Sequence, residues 1–326
     1  MLMRLLAGAI IASAIMIFIA SEEAPAQESD PASSQRAVLV TGASTGIGRK
    51  ITEVLAANGH FVYAGARKQS DLDSLNQIEN VQSIRLDVTV QEEIDAAVET
   101  IHNGGRGLHG LVNNAGVFLG GPLTEVTEEE LKWMFDVNVF GVYRVTQAFA
   151  PLIIESKGRI TTIGSISGVL SYPMFTQYSM SKHAVEAFAD GLAEELERFD
   201  VQVSIIEPGN YISKVGETAL RRMAEKSYAN SESPYAEDFA EFLAWSANHT
   251  NRERYKEPDE VAEAAVHALF DDDPKRRYMV VPSAEEAGWT IDKAVEELVQ
   301  LNEWQAYSYS REELIAVLDK AMAGEN

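Results

Sequence analysis

The sequence predicts an α/β fold, a doubly wound parallel sheet of about seven strands with helices on both faces, a helical lid and C-terminal helices. Short runs rich in β-branched residues alternate with amphipathic stretches of helical length from Ala37 onward, and no internal repeat or low-complexity segment interrupts them. Strands buried on both faces read as continuous apolar runs, as Val38-Leu39-Val40 does. Because crossovers between parallel strands are right-handed, the ligand crevice is expected at the carboxyl ends of the strands.

Seven segments are predicted to form the strands, and helices fill the gaps between them. Two helix starts carry a specific signal. Thr127-x-x-Glu130 is a capping box, in which each residue satisfies a backbone N–H of the other. Pro258, followed by Asp259 and Glu260, places a proline in a first helical turn with acids near the positive end of the helix dipole. The predicted strands span residues 37–41, 60–66, 81–86, 110–113, 159–164, 201–206 and 277–281.

The composition is that of a globular, acidic chain. Its 326 residues with 46% hydrophobic content can fill a large core, and 27 Lys and Arg against 50 Asp and Glu leave a net charge of -23. Such a surface repels phosphate backbones, so no nucleic-acid partner is expected. The absence of cysteine excludes disulfides, thiolate metal sites and cysteine nucleophiles, and the six histidines show no ligand spacing. No metal site is therefore predicted.

The first 26 residues are predicted to be a targeting segment rather than part of the fold. One positive charge at Arg4 precedes an almost wholly apolar run over residues 5–20, and a small-x-small triplet ends at Ala26. This layout is typical of a secretory signal peptide, and the length of the apolar run also allows an uncleaved membrane anchor. The chain is therefore expected to be exported or membrane-anchored, and the compartment of the remaining chain stays open.

The rest of the chain divides into a linker at 27–36, a main domain at 37–283 with a lid at 214–257, and a C-terminal helical extension at 284–326. The lid is rich in aromatic residues, which either line an apolar pocket or pack the lid on the body. These are Tyr228, Tyr235, Phe239, Phe242, Trp245 and Tyr255, and a second apolar group consists of Val169, Leu170, Tyr172, Met174 and Phe175.

A glycine-rich turn follows the first predicted strand. Gly42, Gly46 and Gly48 have the spacing Gly-x3-Gly-x-Gly and stand between that strand and a helix start. Glycines let the backbone adopt positive φ and approach a diphosphate closely, and the unpaired N–H groups of a helix start attract negative charge. The turn is therefore predicted to bind a nucleotide. Its other members include Ser44, Thr45 and Ile47.

The end of the second predicted strand indicates which dinucleotide is bound. An acid at this position would accept a hydrogen bond from the 2′-hydroxyl of the adenosine ribose, whereas a cation would pair with a 2′-phosphate. The strand ends in Arg67 and Lys68 with no carboxylate. NADP(H) is therefore favoured over NAD(H), with Arg67 as the main phosphate ligand and Lys68 and Ser44 as helpers. The alternative is that Arg67 and Lys68 form an ordinary solvated loop.

Tyr178 and Lys182 stand four residues apart, on one face of a predicted helix. A free tyrosine has a pKa of about 10, so making it an acid or base near neutral pH requires about 4 kcal/mol. One positive charge at about 4 Å supplies that much at an effective dielectric constant of about 20. The spacing therefore predicts a tyrosine whose pKa the lysine lowers.

Three further segments accompany these motifs, and all of them follow one another along the chain in the order found in a known family. The further segments are Asn113-Asn114-Ala115-Gly116, a serine upstream of the tyrosine, and Pro208-Gly209 after the sixth predicted strand. In this set the chain resembles the short-chain dehydrogenase/reductase family over roughly residues 37–282, with a Rossmann-like fold and a likeness to retinol- and steroid-type members. The Gly-x3-Gly-x-Gly spacing disfavours the extended branch of the family.

The resemblance implies a role for each matched residue. Ser165, rather than its neighbour Ser167, would polarise the substrate oxygen, and Asn138 would hold a water in a proton relay that reaches Lys182. Segments at three strand ends would flank the adenine or cradle the nicotinamide. They contain Asp87 and Val88, then Asn114, Ala115 and Gly116, and finally Pro208, Gly209 and Ser213.

The resulting expectation is an NADP(H)-dependent oxidoreductase that interconverts a carbonyl and an alcohol of an apolar substrate, with Tyr178 as the acid or base. A catalytically idle nucleotide sensor or scaffold of the same fold is the alternative. The family resemblance also implies a homodimer or homotetramer, paired through helices at about 128–154 and 176–199.

Overall fold

The computed structural model describes residues 35–225, 232–249 and 255–324. The predicted targeting segment at 1–26, the linker residues 27–34 and the lid residue Tyr228 lie outside these described residues.

Within the described residues, seven parallel strands form one sheet in the order β3-β2-β1-β4-β5-β6-β7. The predicted fold class is confirmed, and every predicted strand is present within two residues of its expected ends. The order reverses between β1 and β4, which opens a crevice at the carboxyl edge. The strands are β1 (Ala37–Val40), β2 (Phe61–Ala66), β3 (Val81–Arg85), β4 (Gly110–Asn113), β5 (Arg159–Ile163), β6 (Gln202–Pro208) and β7 (Arg277–Val280).

Helices connect the strands and cover both faces. They are α1 (Gly46–Ala57), α2 (Gln69–Leu75), α3 (Gln91–Asn103), α4 (Glu128–Phe135), α5 (Gly141–Glu155), α6 (Thr176–Glu197), α7 (Lys214–Met223), α8 (Ala236–His249), α9 (Asp259–Phe270), α10 (Ala284–Glu303) and α11 (Arg311–Met322). A π-helical segment, Asp136–Phe140, joins α4 to α5, and a short 3₁₀ helix, Ile166–Gly168, follows β5.

Alternate residues of β1 supply two separate hydrophobic cores. Leu39 packs with Leu111 and Phe149 on one face of the sheet, whereas Val38 packs with Ile51 and Leu55 on the other. All of these side chains are fully buried. The strand is therefore apolar at every position because each face of the sheet lies under a layer of helices.

The two predicted helix starts are found with one difference. At α4, Thr127 Oγ1 accepts from the Glu130 N–H and Glu130 Oε2 accepts from the Thr127 N–H, at 3.2 and 2.9 Å. At α9, Pro258 is the N-cap rather than a residue of the first turn. Its missing N–H costs nothing at either position, because no helical carbonyl would accept from it.

One helical run of the described residues, Glu128–Glu155, is long and apolar enough to cross a membrane by length and composition. Soluble core helices meet the same criterion, and this run places Val145, Phe149 and Ile153 in the core beneath the sheet.

The turn between β1 and α1 is held against the end of β4. Thr41 Oγ1 accepts from the N–H groups of Asn114 and Ala115, at 2.9 and 3.0 Å. The Asn114 amide donates to the carbonyls of Thr41 and Gly42, at 2.9 and 3.1 Å. A Cβ on Gly48 would lie 2.2 Å from the Asn114 amide nitrogen. Gly48 therefore allows the first turn of α1 to approach the strand end.

We expect Gly48→Ala to lower the free energy of unfolding by about 1–3 kcal/mol, because the added methyl group forces the turn away from Asn114. Gly191→Ala is the matched control, since Gly191 lies within α6 and an added Cβ there meets nothing within 4 Å. The control should raise stability by up to about 1 kcal/mol, since alanine is the better helix former. Urea unfolding measures both, and an equal response of the two variants would contradict the packing argument.

Candidate active site

A cavity of about 380 Å³ lies along the carboxyl edge of the sheet, beside the glycine-rich turn. It gathers sixteen of the predicted cofactor residues: Gly42, Ser44, Thr45, Gly46, Ile47, Arg67, Asp87, Val88, Asn114, Ala115, Gly116, Tyr178, Lys182, Pro208, Gly209 and Ser213. Gly42 and Gly46 have φ values of +64° and +59°, which favour glycine. Gly48 and Lys68 do not line this cavity, because Gly48 packs against Asn114 and Lys68 is an exposed residue that precedes α2.

The glycine turn fits a dinucleotide. A Cβ on Gly42 would lie 2.9 Å from the Ala115 Cα, so glycine lets the turn pack closely on the segment after β4. Dinucleotide diphosphates bind to the backbone N–H groups of such a turn at a helix start. The residues present are therefore suited to the nicotinamide cofactor that the glycine spacing predicts.

Arg67 and Asp87 face each other at the end of the cavity formed by β2 and β3. Arg67 Nη1 donates to Asp87 Oδ2 at 3.4 Å, and the Arg67 side chain is 63% exposed. Burial would raise the pKa of Asp87, but hydrogen bonds from Thr89 and the charge of Arg67 outweigh it and hold that pKa below its ordinary value. Arg67 is thus anchored loosely enough to turn toward a ligand.

Ser165 and Tyr178 lie where this cavity meets a second one of about 650 Å³. Both residues line both cavities, and the Ser165 side chain lies near enough to the Tyr178 hydroxyl to lower its pKa. Ser165 is also the N-cap of the 3₁₀ helix, where its Oγ accepts from the Ser167 N–H at 3.1 Å. The backbone of Ser167 thus orients the Ser165 hydroxyl.

Lys182 lies beneath Tyr178 on α6. Its Nζ donates to the Ile163 carbonyl at 2.9 Å and lies 5.7 Å from the centre of the Tyr178 ring. Burial lowers the pKa of Lys182 to about 8, against an opposing effect of the Glu186 charge. Lys182 therefore carries a proton at neutral pH.

Tyr178 differs from the sequence-based expectation of a lowered pKa. Burial raises the pKa of Tyr178 to about 12, and the hydrogen bond with Ser165 acts in the opposite direction. Tyr178 is partly buried, and the loss of hydration disfavours phenolate more strongly than the nearby groups favour it. Tyr178 is thus a proton donor at neutral pH in this structure.

Asn138 occupies the π-helical segment, and its side chain is buried. Its Oδ1 accepts from the Val117 N–H at 2.8 Å, and its Nδ2 donates to the Val117 carbonyl and to Ser181 Oγ, at 2.9 and 3.0 Å. These hydrogen bonds satisfy the amide of a polar residue inside a helix. The π-helical turn is a second sign of function, since π-bulges often mark functional positions. Asn138 thereby connects the loop after β4 to Ser181 of α6, the residue before Lys182.

The second cavity is largely apolar. Of the predicted lid aromatics, Phe242, Trp245 and Tyr255 line it, whereas Phe239 is fully buried and packs in a cluster that also contacts Tyr235. Some lid aromatics therefore line the pocket, as one interpretation predicts, and others pack the lid on the body, as the other predicts. From the second apolar group, Leu170, Tyr172 and Phe175 line the cavity, and Met174 packs in that cluster.

Several residues of the cavity wall were not among the predicted site residues, and two of them are the aromatic residues Phe118 and Trp289. Phe118 follows β4, and Trp289 lies on α10 in the C-terminal extension. Sequence reasoning missed Trp289 because only the tertiary structure brings α10 back to the sheet edge. The pattern Ser283-x-x-Glu286 after β7 was the available signal for a helix start at this point.

A buried charge cluster lies behind Ser165. Arg277 donates to Glu186 and Glu207 at 2.9 and 2.8 Å, and these two carboxylates are largely buried. A Cβ on Gly164 or Gly168 would lie within 3 Å of Glu186 Oε1, so Glu186 packs against the loop that carries Ser165. Burial, followed by repulsion from Glu207, raises the pKa of Glu186 to about 7, although Arg277 opposes this.

The fold and the site together define a class of nicotinamide-dependent oxidoreductase. A family model described as short chain dehydrogenase matches residues 36–223. The chain is 33% identical over 266 residues to D-beta-hydroxybutyrate dehydrogenase, mitochondrial, of Rattus norvegicus, which covers 76% of this chain and 77% of that protein. It is 38% identical over 259 residues to NADPH-dependent 3-dehydrocapnine reductase of Ornithobacterium rhinotracheale, covering 76% of this chain and 88% of that protein.

A solved short-chain dehydrogenase from Streptomyces avermitilis has a TM-score of 0.70 at 29% identity, covering 83% of this chain and 96% of that one. The chain belongs to the short-chain dehydrogenase family. It is an oxidoreductase that acts on CH–OH groups of a small molecule with a nicotinamide cofactor. The likeness to retinol- and steroid-type members stays a prediction.

The Glu186 carboxyl makes stability depend on pH. Its pKa is raised from 4.5 to about 7, so its stabilising contribution is present below pH 4.5 and is lost as the pH rises through 7. We expect the stability of the unaltered protein relative to Glu186→Gln to fall by on the order of 2 kcal/mol between pH 5 and 8.

The matched control is Glu194→Gln, on the same helix and largely exposed. Urea unfolding across this pH range should show no comparable drift for the control. A constant difference between the unaltered protein and Glu186→Gln would contradict the raised pKa.

Proposed function

We propose that the protein is an NADP(H)-dependent oxidoreductase that interconverts a carbonyl and an alcohol of an apolar substrate, with Tyr178 as the acid or base. One observation carries the proposal. Ser165 and Tyr178 both lie at the junction of a cavity bounded by the glycine turn and a larger apolar cavity. A substrate oxygen placed between these hydroxyls would meet two hydrogen-bond donors while its carbon faces the cofactor cavity.

When bound, the nicotinamide supplies or accepts the hydride at the substrate carbon. In the reductive direction Tyr178 gives its proton to the substrate oxygen, and in the oxidative direction it takes that proton back. Ser165 donates a hydrogen bond to the same oxygen and stabilises the charge that develops there. The protonated Lys182 beneath the ring favours the phenolate when Tyr178 has given up its proton.

Asn138 completes the proposed set of catalytic residues as a link between the loop after β4 and α6. Its amide bonds to Val117 and Ser181 hold the segment that precedes Lys182. A water held by this residue would pass protons toward Lys182, as the family resemblance implies. The idle sensor or scaffold has no observation in its favour, since all four residues remain in place.

Preference for NADP(H) rests on charge. No carboxylate ends β2, and Arg67 lines the cavity beside the glycine turn. Ser44 lines the same cavity and would assist, whereas Lys68 lies outside it. A guanidinium group donates two parallel hydrogen bonds to a phosphate and can do so from a partly solvated position. The 2′-phosphate would then displace Asp87 as the partner of Arg67.

An apolar substrate is proposed from the larger cavity. Besides Tyr178, its aromatic wall consists of Phe118, Tyr172, Phe175, Tyr211, Phe242, Trp245, Tyr255 and Trp289. Ligand sites of this size are lined by such residues with a few polar groups for orientation, here the Ser165 and Tyr178 hydroxyls. Retinol- or steroid-like alcohols and smaller ketones meet this description.

Domain organisation, location and assembly are proposed from the sequence. The main domain spans 37–283 with the lid at 214–257, and the extension spans 284–326. An N-terminal signal peptide or membrane anchor and a homodimer or homotetramer complete the proposal. N-terminal sequencing of the mature chain from fractionated cells and a light-scattering mass test these points.

We expect Tyr178→Phe to bind NADPH as the unaltered protein does and to lose about 10²–10⁴-fold in turnover of a ketone panel, because it removes only the acid. Tyr143→Phe is the control, as Tyr143 is half exposed on α5 and lines neither cavity. NADPH oxidation measured by absorbance decides, and full activity of Tyr178→Phe would refute the assignment.

We expect Arg67→Ala to raise the dissociation constant for NADPH by about 10- to 100-fold, because a hydrogen-bonded charge pair to the 2′-phosphate is lost. The dissociation constant for NADH should stay nearly constant. Lys68→Ala should change neither, since its side chain lies outside the cavity. Fluorescence titration measures all of these constants, and an equal loss for both dinucleotides would rule out the 2′-phosphate contact.

A further inference from the structure

The first turn of α10 departs from the capping pattern of two other helices. Thr127 with Glu130 and Ser310 with Glu313 form complete capping boxes, in which the glutamate side chain returns to the N-cap N–H. Ser283 and Glu286 have the same spacing, and the Ser283 side chain accepts from the Glu286 N–H. The Glu286 carboxylate, however, accepts from the Asn210 N–H at 2.9 Å.

This carboxylate holds the segment after β6 from one side. Glu286 is 7% exposed, and a Cβ on Gly209 would lie 2.1 Å from its Oε2. From the other side, the Gly209 N–H donates to the Val280 carbonyl of β7 at 2.8 Å. Two consecutive N–H groups are therefore fixed by residues of the C-terminal part of the chain. Pro208 and Gly209 line both cavities, the one beside the glycine-rich turn that is proposed to hold the cofactor and the larger apolar one proposed to hold the substrate.

The next turn of the same helix reaches the substrate cavity. Trp289, three residues after Glu286, lines this cavity together with Ser165 and Tyr178. Thr290 is buried and donates to the Glu286 carbonyl at 2.9 Å, so these first two turns are seated on the body. Past Thr290, α10 and α11 contain no buried residue. The burial of the extension against the rest of the chain is thus confined to its first two turns.

We propose that the first two turns of α10 are part of the active site. Glu286 is a positioning residue that holds the Pro208–Asn210 backbone against the nicotinamide half of the cofactor, and Trp289 is a specificity-determining residue at the solvent-facing rim of the apolar substrate cavity. The inference rests on the proposed function, because it assumes that the nicotinamide half of NADP(H) lies beside Gly209.

A binding experiment tests Glu286 without reference to turnover. NADPH and adenosine 2′,5′-bisphosphate, which lacks the nicotinamide half, are titrated into the purified full chain. Glu286→Ala should weaken NADPH by about 10-fold, the effect of one lost hydrogen bond to a charged group, and leave the bisphosphate within about two-fold. Glu286→Gln keeps an acceptor oxygen and should restore NADPH binding. Glu286→Asp shortens the side chain and should resemble Glu286→Ala.

Glu296→Ala is the matched control, since Glu296 is largely exposed farther along α10 and pairs with Lys293. Equal weakening of both ligands by Glu286→Ala, or no weakening of either, would overturn the positioning role. If the alanine variant fails to fold, the comparison of Glu286→Gln with Glu286→Asp decides in the same way. A failure of the unaltered chain to bind NADPH would overturn the proposed function itself.

A kinetic experiment tests Trp289 with two ketones, 2-undecanone and 2-butanone. Trp289→Ala should raise KM for 2-undecanone by about 10-fold with kcat nearly unchanged, and leave both constants for 2-butanone unchanged, because only the long chain reaches the aromatic wall. Trp304→Ala is the control, as Trp304 follows α10, is 94% exposed and lies outside the cavity. Equal effects on the two ketones, or an unchanged KM for 2-undecanone, would overturn the specificity role.

Discussion

The reversal of strand order between β1 and β4 is the constraint on which the rest of the structure depends. At such a point the connections from the two neighbouring strands run to opposite faces of the sheet. They leave a crevice at the carboxyl ends of the strands that no connection covers. The glycine turn after β1, the Asn114 loop after β4 and the Ser165 loop after β5 all end at this edge. Backbone donors and side-chain hydroxyls from distant parts of the chain thereby reach one cavity.

Burial at this edge sets the chemistry of the proposed acid. Partial burial of Tyr178 keeps the phenol protonated, and burial of Lys182 brings the ammonium pKa to about 8. A proton can then pass between Tyr178 and a substrate oxygen in either direction, with the lysine charge favouring its departure. The Glu186 carboxyl one helical turn farther along α6 adds a group that titrates near neutral pH behind the same site.

The C-terminal part of the chain closes the site from the far edge of the sheet. β7 and the start of α10 fix the backbone of Gly209 and Asn210, and Trp289 extends the aromatic wall begun by the lid. The family model ends at residue 223, so this contact involves residues outside the matched part of the chain. Under the proposed function, variation of this segment would change substrate preference while the Ser165 and Tyr178 hydroxyls stay in place.

The sequence alone determined the fold class, the seven strands within two residues of their ends, and the order of the site motifs, because these depend on local periodicity, glycine conformation and spacing along one helix. Only the tertiary structure decided the rest. It separated Arg67 from Lys68, gave Asn138 its partners, raised rather than lowered the Tyr178 pKa, and brought Trp289 to the substrate cavity. The physical reason is that burial and hydrogen-bond partners depend on residues far apart in the chain, which no local pattern specifies.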